Sequence, residues 1–433
     1  MAAMDTTRYR LDGHDVLAHR LTVPLDHAAP GGETIEIFAR EIVRDGGADR
    51  PHLVWFQGGP GGRGDRPARI TGWLDRALRD YRVVLLDQRG TGLSTPADAL
   101  TVTARGDAAA EAAYLSHFRA DAIVADAEAL RRELAGDRPW SALGQSYGGF
   151  VITTYLCQAP AGLREAFITG GLPGLTAPAE QVYRLTYAKT ARRNTQYFAR
   201  YPGDQATLRE ISQHLMDTEE LLPTGERLSA RRLRQVGTRL GAGLGFDALH
   251  YLFEDPFVTV GGTRRLSRGF LADAGALLSY AGRELYAVLH ESIYAQGAAT
   301  HWAAQRVRAE FPTMAEDADP AWHATPYHLT GEHIYPWQLR EDPALAPLAV
   351  PAELLAAKED FPALYDPQVL AENTVPVAAA VYTDDMFVPV ELSQETARTV
   401  RNLRPWITNE YHHDGIRVAG EHILDRLITL ARS

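Results

Sequence analysis

One cysteine, Cys157, stands in 433 residues, which excludes an internal disulfide and any cysteine-rich metal framework. It lies in the apolar run FVITTYLCQAP and reads as a buried structural thiol. Basic charge is also scarce: 44 Lys and Arg against 55 Asp and Glu leave a formal charge of -11. With a pI near 5.8, the chain lacks the basic face that phosphate backbones and anionic lipids require, so neither nucleic acid nor membrane is an expected partner. The Arg-rich run ARRLRQ, residues 230–235, reads as a solvated helix face. Long apolar runs are missing as well. Nothing approaches the ~18 residues of a membrane span, and the opening MAAMDTTRYRLDGHDVLAHR has no apolar signal core, so a cytoplasmic location is expected. No H-E-x-x-H or similar ligand spacing suggests a metal, and no G-K-[ST] follows the glycine-rich loop. No cofactor is expected.

What is present is an ordinary globular composition, 45% hydrophobic and 23% charged, in a chain long enough for two or three domains or one domain with a large insertion. Its pattern changes twice. Up to about residue 175, short apolar runs (HLVWFQ, RVVLLD, WSALG, EAFITG) alternate with helical stretches such as FRADAIVADAEALRRELAG, the grammar of βα units on a mostly parallel sheet. ETIEIFAREIV alternates like a partly exposed strand. From about 176 to 365 strands nearly vanish and helical patterns with interleaved aromatics dominate, most of those aromatics reading as helix core. After about 366 strands return in VPVAAAVY and RPWITNEYHH, followed by the amphipathic EHILDRLITLARS. The predicted architecture is an α/β domain, 1–175 with 366–433, interrupted by a mainly helical insertion, 176–365, after the sixth strand.

The stretch Gly144-Gln145-Ser146-Tyr147-Gly148 falls where a predicted strand meets a predicted helix. That context makes G-x-S-x-G a nucleophile's turn: small neighbours permit a strained serine whose hydroxyl stands above the sheet at a helix N-terminus. A serine needs a histidine base, and the histidine needs an acid. AAAVYTDDMFVPV supplies Asp384 and Asp385 after one late strand, and ITNEYHHDGIR supplies His412 and His413 after the next. Asp385 is preferred because it opens the segment that crosses the sheet end, and His413 because it adjoins the Asp-Gly turn. The order Ser146, Asp385, His413 is the one this fold uses. WFQGGPGGRG follows an early strand, where a glycine-rich loop can supply an oxyanion donor: the amide of Gly59 or of its neighbour Gly58, with the amide of Tyr147 as the second.

Together these residues resemble the prolyl aminopeptidase (proline iminopeptidase) family of α/β-hydrolases, in its larger, cap-extended branch. The family's H-G-G-P-G loop is similar to Gln57-Gly58-Gly59-Pro60-Gly61, with Gln57 standing for histidine. Its D-Q-R-G-x-G-x-S matches Asp87 to Ser94, and its G-x-S-x-G-G matches Gly144 to Gly149. The resemblance implies a serine aminopeptidase that releases an N-terminal residue, preferentially proline, from small peptides with a free amino end. It implies cap glutamates that pair with the substrate ammonium. YAVLHESIY and TGEHIYPW resemble those cap segments, giving Glu291 and Glu332, with Gly58, Tyr294, Tyr335 and Trp337 around the bound residue. The alternatives are a carboxylesterase or a less selective serine aminopeptidase on the same fold, and a non-catalytic binding protein.

Overall fold

The central strands form where β-branched and apolar residues run without interruption. The computed structural model describes residues 4–433. Its strands are β1 (Asp5–Leu11), β2 (His14–Pro24), β3 (Thr34–Val43), β4 (His52–Phe56), β5 (Arg82–Asp87), β6 (Trp140–Gln145), β7 (Leu163–Thr169), β8 (Phe257–Val260), β9 (Thr263–Leu266), β10 (Val377–Tyr382) and β11 (Leu403–Thr408). Nine of them make one sheet in the order β1-β2-β3-β5-β4-β6-β7-β10-β11, while β8 and β9 form a separate hairpin. The pairs β1/β2, β2/β3 and β3/β5 are antiparallel. Every pair from β5 across to β11 is parallel. The carboxyl ends of β4, β6, β7, β10 and β11 therefore face one way, and open α/β sheets bind ligands at that edge.

Helices cover both faces. On one, Trp55 stacks on Trp73 at 4.4 Å, and the C-terminal helix Gly420–Arg432 buries Ile423, Leu424, Leu427 and Ile428. On the other, the helix Ala120–Ala135 buries Ile123, Val124, Ala127 and Leu130, beside the nearly all-buried helix Tyr147–Gln158. Each such aliphatic side chain contributes about 1.5–3 kcal/mol by leaving water.

The insertion runs from the end of β7 to the start of β10. It is mainly helical, led by Ala179–Arg200 and Pro202–Asp217, with β8 and β9 its short hairpin. Its aromatics Tyr183, Tyr187, Tyr197 and Phe198 are buried, as helical spacing suggests. None of the helices among the described residues is long and apolar enough to cross a membrane.

Four details differ from the sequence reading. The insertion follows the seventh strand in chain order, because β1 is a polar, exposed strand with no apolar alternation to reveal it. β3 is mostly buried, since the β1–β2 hairpin covers the edge it would otherwise expose. The arginine run is no solvated face: Arg232 and Arg234 are 2% and 0% exposed. Arg234 survives burial by donating to the carbonyls of His328, Ala315 and Thr313 at 2.7–2.8 Å, and Arg232 faces Asp342 and Glu226. Cys157 is only half-buried; its sulfur lies 3.3 Å from the Asp366 amide.

Candidate active site

Ser146 ends β6 and precedes the helix Tyr147–Gln158, in the turn the glycine pattern predicts. Its backbone sits at φ 56°, ψ -125°, a region that costs a non-glycine residue about 1–3 kcal/mol. Neighbouring structure enforces the strain. The Ser146 amide donates to Thr169 at the end of β7 (3.0 Å), and the Ser146 carbonyl accepts from Gly149 (2.8 Å). Gly148 lies so close to the Phe56 carbonyl that a Cβ would collide with it, and a Cβ on Gly144 would strike the Gly148 carbonyl. The turn thus needs glycine at both positions, which accounts physically for G-x-S-x-G.

Asp385 and His413 arrive from the ends of β10 and β11. Asp385 Oδ2 lies 2.7 Å from His413 Nδ1, while Oδ1 accepts the amides of Phe387 and Val388 at 2.8 and 3.0 Å. With one carboxylate oxygen anchored by backbone, the other fixes the imidazole with its proton on Nδ1, leaving Nε2 as the free base. Burial disfavours the imidazolium, but the Asp385 charge and hydrogen bond, aided by Glu332, outweigh it and raise the His413 pKa. Phe387 packs edge-on against the ring at 4.8 Å. The rejected neighbours lie elsewhere in the local chemistry: Asp384 faces Arg192 at 3.5 Å, and His412 has no part in the Asp385 pair.

Above Ser146 lies the loop after β4. Gly58 is close enough that a Cβ there would meet the Ser146 Cβ at 3.0 Å. Its amide is already engaged by Gln57 Oε1 at 3.0 Å, which leaves Gly59 as the better free donor. Tyr147 is the first residue of its helix, a position whose amide has no partner within the helix. The D-Q-R-G segment holds this loop in place. Gln88 Nε2 donates to the Gln57 carbonyl at 2.9 Å, and Asp87 accepts the amides of Gly64 and Leu93 at 3.0 and 2.8 Å. Arg89 is fully buried against Asp126 at 2.6 Å and also donates to the carbonyls of Leu25 and His117.

A cavity of about 890 Å³ joins Gly58, Gly59, Ser146 and His413 to Glu332 and Tyr286 of the insertion. Glu332 is partly buried and accepts from the Tyr286 hydroxyl; desolvation, opposed by His413 and Tyr286, lifts its pKa from 4.5 to about 7. A second cavity, about 460 Å³, meets the first at His413 and Tyr286. A groove of about 920 Å³ lies away from Ser146 on the insertion, and its charged wall is already paired, Arg231 with Glu316 and Glu341.

The structure does not bring every predicted residue to the cavity. Glu291 is 4% exposed, with both oxygens taken by the amides of Ala303 and Ala304 at 2.9 and 2.8 Å. It closes the N-terminus of the helix Ala303–Arg308, and burial raises its pKa to about 7 against those donors. Tyr335 and Trp337 stack on each other at 5.3 Å inside the insertion's own core, where the Tyr335 and Tyr187 hydroxyls lie 2.8 Å apart. Tyr294 packs against Phe150, in the helix that follows Ser146, at 6.2 Å. Two residues on the cavity wall escaped the sequence reading. Tyr286 opens the segment YAVLHESIY, from which the sequence reading took only Glu291 and Tyr294. Arg417 lies in HDGIR and donates to Gln57 Oε1 at 3.2 Å, so its adjacency to His413 was the available signal.

Residues 51–252 match the model of the alpha/beta hydrolase fold family. The chain is 47% identical over 428 residues to a proline iminopeptidase of Aeromonas sobria, covering 98% of each. It is 35% identical over 423 residues to the proline iminopeptidase aneH of Aspergillus aculeatus, covering 95% of this chain and 92% of that one. With identity at this level from end to end, the chain belongs to the proline iminopeptidase family of α/β-hydrolases.

Proposed function

We propose that the protein is a serine aminopeptidase that releases an N-terminal residue, preferentially proline, from small peptides through an acyl-enzyme. Residues 1–175 and 366–433 act as the catalytic domain and 176–365 as a cap over it. Ser146 attacks the carbonyl carbon of the first residue. His413 Nε2 takes the serine proton and returns it to the leaving amine, while Asp385 holds the imidazole and stabilises its charge. The amides of Gly59 and Tyr147 meet the oxyanion, each such donor contributing about 3–4 kcal/mol. Water then attacks the acyl-enzyme with His413 again as base.

The observation that carries the reading is Glu332, a carboxylate on the cap wall of the cavity that also holds Ser146 and His413. A buried carboxylate is costly without a cation and rewards an incoming ammonium. An N-terminal amine brings that cation within reach of the nucleophile, whereas a simple ester or a blocked peptide does not. The names of the two relatives agree with this. Glu291 is withdrawn from substrate contact and assigned to positioning the cap, and the aromatic wall passes from Tyr335 to Tyr286. The location proposed is cytoplasmic.

The test is release of free proline from prolyl peptides by wild type and by Ser146→Ala. Turnover in wild type with a loss of about 10⁴-fold or more in the variant is expected. Retained turnover in Ser146→Ala would remove the mechanism.

A further inference from the structure

We propose that Arg63 and Arg417 form a carboxylate site at the mouth of the Ser146 cavity, which holds the C-terminal end of a di- or tripeptide. This rests on the aminopeptidase reading and adds what that reading leaves open, the far end of the substrate. Both arginines line the same cavity as Ser146 and Glu332, and both are exposed. Among the described residues neither forms an ion pair, although acids stand on the same wall.

Those acids are engaged elsewhere. Asp98 caps the helix Ala99–Thr103 through the Thr101 amide at 2.9 Å. Glu284 accepts the Gly282 amide at 3.0 Å, and Asp414 accepts the Gly243 amide at 3.0 and 3.1 Å. Asp65, which lies off that wall, accepts Gln57 Nε2 at 2.8 Å and faces the Arg417 charge without an ion-pair contact. The acids hold loops; a third arginine on the wall, Arg283, donates to the Ser279 carbonyl at 2.9 Å, and Arg63 and Arg417 are left facing the cavity.

The direction of the substrate follows from the chemistry. With its ammonium at Glu332 and its first carbonyl at Ser146, a peptide must place its leaving amine beside His413, which protonates it. Arg417 belongs to the short helix Gly415–Val418 that directly follows His413, so the residue beyond the scissile bond emerges toward it. Gln57 Oε1 takes one Arg417 nitrogen at 3.2 Å, which aims the side chain across the loop of Gly58. An arginine has five donors in a planar fork suited to a carboxylate, and this contact uses only one. Ammonium, scissile bond and carboxylate of a short free peptide thus meet acid, nucleophile and base, and cation in order.

The experiment compares prolyl-glycyl-glycine with its C-terminal amide, using proline anilide to report the chemistry alone. Wild type is expected to show a KM about two- to fivefold lower for the free acid than for the amide, the worth of an exposed charge pair. The ratio should shrink as salt is raised. In Arg417→Ala combined with Arg63→Ala it should fall to about one, and Arg417→Lys should restore part of it; a merely structural role would change both KM values together and leave the ratio intact. Equal KM values in wild type, or a ratio unchanged in the double variant, would overturn the proposal. The wild-type comparison decides even where a variant does not fold. Failure of the aminopeptidase reading would look different, as no cleavage of the anilide or of either tripeptide.

Discussion

Replacing Glu332 by Gln should stabilise the substrate-free enzyme and weaken its grip on the amino terminus at the same time. Burial lifts this carboxyl from 4.5 to about 7. The folded protein therefore binds the proton more tightly than the unfolded chain. The resulting stability is fully present below about pH 4.5 and is lost as pH rises through about 7. A gap of about 2.5 pH units at about 1.4 kcal/mol each makes the ionised carboxylate of this partly buried residue a burden of at most roughly 3 kcal/mol at pH 8. A neutral amide of the same shape escapes that burden, so thermal unfolding at pH 8 should shift upward by several degrees in Glu332→Gln. Near pH 4.5 the two proteins should unfold alike. Kinetically, wild-type KM for proline anilide should fall as pH rises through about 7, because ionised Glu332 is the proposed partner of the ammonium. In the variant that dependence should vanish and KM should rise about 10- to 100-fold, the value of a charged hydrogen bond, while an acetate ester with no amine loses less. Scanning calorimetry and a KM profile from pH 5 to 8 check both. A variant with neither the stability gain at pH 8 nor the raised KM would refute the assignment.

The remaining predictions address the frame around the site. Glu291→Ala should lower stability by about 1–3 kcal/mol, since it leaves the buried amides of Ala303 and Ala304 without acceptors, yet keep the preference for a free amine; denaturant unfolding and substrate comparison separate the two. Asp385→Asn should reduce kcat about 10⁴-fold with little change in KM, because the imidazole loses the partner that sets its tautomer, as steady-state kinetics will report. Gly148→Ala should unfold early in urea, because its Cβ meets the Phe56 carbonyl, backbone that cannot step aside. Asp126→Ala should cost about 3–5 kcal/mol in denaturant unfolding by leaving Arg89 buried and unpaired.

The α/β half of the molecule was legible because local chemistry demands particular residues there. Gly144 and Gly148 announce a turn that tolerates no Cβ, and Asp385 and His413 follow late strands whose apolar runs are plain. The insertion was legible only in outline. A buried glutamate that closes a helix N-terminus, Glu291, and one that lines a cavity, Glu332, look alike in sequence, because three-dimensional neighbours alone decide which amides reach the carboxylate. Tyr335 was placed beside the substrate and Tyr286 passed over for the same reason, as a resemblance of segments marks where aromatics fall without saying what each packs against. The arginines of 230–235 misled because burial of a guanidinium depends on carbonyls from Thr313, Ala315 and His328, far along the chain. Strand β1 gave no apolar signal at all, being paired through its backbone with both faces exposed.

The most direct test of the central claim compares kcat/KM for L-proline p-nitroanilide with that for its N-acetyl derivative on the same enzyme preparation. The two share scissile bond, leaving group and ring, and differ in the ammonium that Glu332 is proposed to hold. Cleavage of the free amine at least about 100-fold faster is the predicted result. Equal rates would contradict recognition of the amino end and leave a serine hydrolase whose selectivity lies elsewhere.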